Sequence, residues 1–205
     1  MMSRIFLTLT LCTSLSACVS ILPKPDPSAT VYRLASYTQP VETAANAENI
    51  RIVRPTAAQA FNSRDIVVTK DGQKLSRIAE SQWSQQTPDL IQNAMIDALE
   101  SSSQFVGLAP SVGAQSSTRL HLTVKNFEAN FDNGPESAPL AVVQYRVTYV
   151  RADDRKLLGT YNTRKTMRAE SINVSSVVSA MERANSDAMI DIVGWLEGQA
   201  SAGRS

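Results

Sequence analysis

STRLHLTVKNFEANF, residues 117–131, decides the fold, because its apolar residues keep a period of two and then change phase. Leu120, Leu122 and Val124 alternate with Arg119, His121 and Thr123. Phe127, Ala129 and Phe131 then resume the alternation one residue late. A period of two is the signature of a strand with one buried face, and a one-residue slip predicts a β-bulge at about Asn126.

The chain that follows repeats the theme. LAVVQYRVTYVRADDRKLLGTYNTRKTM, residues 140–167, reads as a long hairpin with a turn at Ala152–Arg155. Val143, Tyr145, Val147 and Tyr149 share one of its faces. From about Ser175 to Gly198 the period changes to three and four. Val177, Ala180, Met181, Ala184, Ala188, Ile192 and Leu196 form an apolar stripe whose small alanines predict a helix packed closely on a sheet.

Upstream, TVYRLAS (30–36) and NIRIVRP (49–55) alternate as short strands. RDIVVTKDGQKLSRIA (64–79) predicts two more strands around a turn at Asp71-Gly72. A helix follows, with Thr87 as N-cap, Pro88 in the first turn and Asp89 near the positive end of the dipole. Its stripe is Leu90, Ile91, Ala94, Met95, Ala98 and Leu99, and it ends among Ser101–Ser103. The predicted order is β-β-β-β-α-β-β-β-β-α. That order is an α+β, two-layer plan: a largely antiparallel sheet packed against two main helices. It occupies residues 30–198 as one domain, with residues 199–205 as a flexible tail.

The N-terminus carries a different signal. Arg4 precedes an apolar run of eleven residues, Ile5–Leu15. That is too short for a bilayer span of about 20 residues, but it suits a secretory signal. Leu15-Ser16-Ala17-Cys18 has the form of a bacterial lipobox, so residues 1–17 are expected to be removed between Ala17 and Cys18. Cys18 would then carry a covalent diacylglycerol and an N-acyl lipid, with no other cofactor. The plainer alternatives are an ordinary signal peptide cut after Ala17 and a core cysteine. Residues 18–29 contain Pro23, Pro25 and Pro27, and read as the lipidated N-terminus followed by a semi-rigid tether.

Composition excludes several function classes. The second cysteine, Cys12, lies within the removed segment, so the domain is left with no thiol for a disulfide, a nucleophile or a thiolate metal site. Without Arg4, nineteen basic residues balance nineteen acidic ones, which excludes the basic excess of nucleic-acid binding. The remaining 188 residues can bury about 70% of their unfolded surface.

Catalytic motifs are missing. His121 is the only histidine, and it faces away from Leu120 and Leu122; no P-loop, G-x-S-x-G or G-x-G-x-x-G occurs. Asp153-Asp154 lie in the predicted turn, where aspartates serve as turn formers. Asn173-Val174-Ser175 marks the start of the last helix. These observations predict no enzyme and no metal site.

One charge feature stands out. Arg146, Arg151, Arg155, Lys156, Arg164, Lys165 and Arg168 crowd the hairpin, while the last helix carries Glu182, Asp187, Asp191 and Glu197. A solvated strand face paired locally with that helix explains this. A basic face for an acidic partner or for lipid headgroups explains it too, and both readings stay open here.

The lipobox and tether, TVYRL, DIVVTKDGQKL, AESQWSQQTPDLIQNAMIDALE with Trp83 before the Pro88 helix, and a last helix closing in IVGWLEG form a set. Together they resemble the ABC-type transport auxiliary lipoproteins, the PqiC/YmbA-like component of MCE-type lipid transport systems. The resemblance runs from about Thr30 to Trp195. It implies a non-enzymatic periplasmic lipoprotein, anchored at Cys18 and docking to an MCE-domain substrate-binding protein with its permease and ATPase. Such a system moves lipids or other hydrophobic compounds, and self-association is open. Val19 after the cysteine points to the outer rather than the inner membrane. Tyr32, Leu34 and Trp83 are expected at core or interface positions. A structural or assembly lipoprotein of an outer-membrane machine, and a direct lipid carrier, are the alternatives.

Overall fold

The computed structural model describes residues 28–35, 39, 41–70 and 73–202. Cys18, Ala17, most of the tether and the Asp71-Gly72 turn lie outside the described residues. The strands are β1 (Thr30–Tyr32), β2 (Glu48–Ile52), β3 (Thr56–Ala57), β4 (Asp65–Lys70), β5 (Lys74–Trp83), β6 (Phe105–Leu108), β7 (Thr118–Phe131), β8 (Leu140–Arg151) and β9 (Leu157–Arg168). The helices are α1 (Thr87–Leu99) and α2 (Val174–Ala202), with a 3-10 turn at Gln59–Phe61. The α+β class and the order of elements match the expectation, with the two-residue β3 added.

β7 is the hub of the sheet. One of its edges pairs with β8 along its whole length, antiparallel. The other edge is shared in turn by β2 at Thr118–Leu120, β3 at Thr123–Val124 and β4 at Ala129–Phe131, all parallel. β1 with β5 and β2 with β6 are parallel as well. The sheet is therefore mixed: the hairpins β4–β5 and β8–β9 and the β7–β8 ladder are antiparallel, and the remaining pairs are parallel. Parallel neighbours need a long crossover, and the run through β4, β5 and α1 supplies one between β2 and β6.

The bulge sits where the phase change placed it. The β7–β8 register shifts between Val124 and Asn126, so Lys125 is the extra residue. Val124 and Phe127 consequently both reach the core, at 3% and 1% exposure.

α2 lies over β8 and β9. Ala180, Ala184 and Ala188 are buried at the contact, beside Met181, Ile192 and Leu196. Alanine lets the helix approach closely, while the larger side chains each contribute about 1.5–3 kcal/mol of burial. A fully buried polar bond crosses this seam. The Tyr145 hydroxyl donates to Asn185 Oδ1 at 2.7 Å, with both residues buried. Burial holds the Tyr145 phenol well above its ordinary pKa, so it remains a neutral donor.

At the far end Trp195 stacks on Tyr161 (centroids 5.3 Å apart, 9° between planes) and meets Tyr149 edge-on at 6.4 Å. Gly159 lies beneath it: a Cβ there would stand 2.9 Å from Trp195 Cζ2.

Three local expectations change. Thr87 is the first residue of α1 and not its cap, because its N–H and hydroxyl both donate to Ser63 O, at 2.9 and 3.2 Å. β1 stops at Tyr32, and beyond it the Ala35 N–H donates to Glu182 Oε1 on α2. The expected tail is helical through residue 202, since Ala200 still packs on the core.

Two stability outcomes follow, both read by urea unfolding. Tyr145→Phe leaves the buried Asn185 oxygen without a donor and should cost about 1–3 kcal/mol. Adding Asn185→Leu, which removes the orphaned group, should recover part of that loss. Gly159→Ala should cost about 1–3 kcal/mol, because the Trp195 ring is held between two tyrosines and cannot step aside.

Candidate docking faces

The β7–β8–β9 part of the sheet has two faces of different character. α2 covers the one that presents Val143, Tyr145 and Val147. On the opposite face the register lines up Asn126, Gln144 and Arg164, then Thr123, Arg146 and Asn162, then His121, Thr148 and Thr160. Arg119, Val150 and Leu157 complete it at the hairpin end. The bulge adds Lys125, since both residues between Val124 and Phe127 point outward. Arg119, His121, Lys125, Arg146, Asn162 and Arg164 are all exposed.

The seven basic residues singled out in the sequence do not form one surface, because neighbours along a strand point to opposite faces. Lys165 lies on the α2 side and pairs with Asp191 at 3.1 Å. Arg168 grips Asp132 through two bonds of 2.5 and 2.8 Å. Arg151 pairs with Asp154 at 3.1 Å in the hairpin turn, where Arg155 and Lys156 are exposed. Arg146 and Arg164 stand on the open face without an ion pair, whereas Arg168, opposite Leu140 on the same face, is held by Asp132. Arg119 and Lys125 join them from β7. The alternation of residues 117–131 carries both, but nothing in the local sequence sets that strand beside residues 140–168.

Local pairing with the last helix is carried by Asp191. Its carboxylate accepts from the Thr163 hydroxyl at 2.5 Å and the Tyr161 hydroxyl at 3.1 Å, besides Lys165. Burial works against the Asp191 charge, yet these three donors outweigh it and hold the carboxyl below its usual value.

The open face is electrostatically one-sided. β7, β8 and β9 together contain one carboxylate, Glu128, and it is buried. Burial raises its carboxyl above the usual range, against a hydrogen bond from Asn126 and the charge of Arg164. Arg119, Lys125, Arg146 and Arg164 form no salt bridge among the described residues. The His121 imidazole is lowered by partial burial and then by the charge of Arg119.

The remaining sequence candidates have structural places. Asp154 accepts from the Lys156 N–H at 3.0 Å and Asp153 from the Asp154 N–H at 2.7 Å, so both hold the turn. The Asn173 carbonyl accepts from the Val177 N–H and opens α2. Trp83 is fully buried against Phe127, and Tyr32 and Leu34 pack partly buried on the same core. Among the described residues no three His, Cys, Asp or Glu side chains gather as a metal site. None of their helices is long and apolar enough to cross a membrane.

Solved structures share this architecture. A Xanthomonas campestris protein of the DUF330 family model superposes with a TM-score of 0.75 at 19% identity, over 86% of this chain and 99% of that one. A hypothetical protein from Chlamydia trachomatis does so with a TM-score of 0.51 at 9% identity, over 76% and 99%. At such identities the likeness is one of fold. No curated protein matches the chain. The sequence from residue 32 to 193 matches the family model described as the ABC-type transport auxiliary lipoprotein component, and the chain belongs to that family.

Proposed function

We propose that this chain is a non-enzymatic, lipid-anchored accessory subunit of an MCE-type ABC transport system, which moves lipids or other hydrophobic compounds across the Gram-negative envelope. The family match over residues 32–193 carries the reading: it joins the chain to ABC-type transport, associates it with the cell envelope and points away from catalysis. The lipobox Leu15–Cys18 supplies the anchor, as a diacylglycerol thioether and an N-acyl group on Cys18. The prolines of residues 23–27 supply a spacer. With two or more acyl chains the attachment is lasting, because each buried CH₂ contributes about 0.8 kcal/mol.

The division of labour follows from chemistry. The chain contains no P-loop, so the energy comes from the partner ATPase. Its task is to hold a rigid domain beside the MCE component on the periplasmic side. Val19 in the position after the cysteine favours the outer membrane.

In cells given labelled palmitate, the wild-type chain should take up label and sediment with membranes, and Cys18→Ser should do neither. Label in the Cys18→Ser chain would refute the anchor. Affinity capture of the wild-type chain should recover the MCE-domain protein with its permease; recovery of an outer-membrane barrel in their place would refute the transport assignment.

A further inference from the structure

The face of β7, β8 and β9 turned away from α2 combines exposure and positive charge, and its acids are Glu128, buried beside Arg164, and Asp132, held by Arg168 at one end. Arg119, Lys125, Arg146 and Arg164 gather there, although the whole chain carries a formal net charge of only +1. Such a face fits an anionic occupant.

Two kinds of occupant present themselves, and the composition chooses between them. A protein partner is held by a buried apolar or aromatic centre from which charges are depleted. Here the centre is His121, Thr148, Thr160 and Asn162, flanked by cations and without a Phe, Tyr or Trp. A headgroup layer asks for the reverse: dispersed cations on a surface without a deep slot, and an apolar residue at the rim that can enter the boundary region. Leu157, 56% exposed beside Val150 at the hairpin end, occupies that rim.

We propose that this open sheet face docks the domain flat on the anionic lipid headgroups of the membrane that holds its anchor, a step that rests on the Cys18 anchoring proposed above. Docked in this way, the domain presents the outer side of α2 to the periplasm and to its protein partners.

The test uses the full lipidated chain in vesicles of phosphatidylcholine alone, or of phosphatidylcholine with an equal part of phosphatidylglycerol. Thr160→Cys places a thiol at the centre of the face, and Ile190→Cys, at a residue 52% exposed on α2, serves as the control. Maleimide labelling of Thr160→Cys should slow by about fivefold or more in the anionic vesicles, the gain that one surface cation contributes. The control should be unaffected, and high salt should restore the rate. Arg146→Glu with Arg164→Glu should abolish the protection in a chain that still unfolds cooperatively in urea. Equal labelling in both vesicles would overturn the proposal, as would protection that survives the double reversal or that appears only once the MCE component is added. A chain that does not float with neutral vesicles refutes the anchor alone. The same labelling ratio, read on the chain mixed with vesicles, still decides the face.

Discussion

The close contact of α2 with β8 and β9 is the constraint on which the rest of the structure depends. Three buried alanines set the distance, and Tyr145 bonded to Asn185 sets the register. A buried amide without that phenol would be an unsatisfied group, so the helix has one favoured position along its axis. Asp191 beneath Thr163, Tyr161 and Lys165, and Trp195 over Gly159, then fall into place at successive turns. The other end of the domain is tied to the same helix, through Ser102 to Glu197 at 2.6 Å and Ala35 to Glu182 at 2.9 Å.

Because α2 takes one face of the hairpin ribbon, only the other remains to meet the surroundings. That face inherits the outward half of each alternating strand, and those halves are basic. The seven basic residues visible in the sequence are divided by the pleat. Lys165 serves the fold, Arg168 and Arg151 are neutralised locally, and Arg146 and Arg164 stay free to act outward. An auxiliary lipoprotein of a transport system works with other components, and the open face is the one the proposed docking uses.

What could be read from the residues was whatever is local in the chain. The phase change in residues 117–131 located the bulge to within a residue, since the core needs both Val124 and Phe127. The hairpin and the alanine stripe of α2 were legible for the same reason. Parallel pairing was not, because β2, β3 and β4 share one edge of β7 through contacts that no short-range pattern encodes. β3 and β6 are too short to show a period. Thr87 has the chemistry of a cap, but Ser63, distant in sequence, claims its hydroxyl. The open face was half visible: Arg119 and Lys125 joined it only once β7 was laid beside β8.

The central claim is that α2 is an integral layer of the domain, which leaves the opposite sheet face as the working surface. Amide hydrogen exchange on the full chain tests it most directly. If α2 and the β7–β8–β9 strands form one cooperative unit, their slowest amides should exchange together, at the rate set by global unfolding. Exchange of the α2 amides well ahead of β8 and β9 would mean that the helix leaves the sheet on its own. The helix-side face would then be a second exposed surface, and the account would be contradicted.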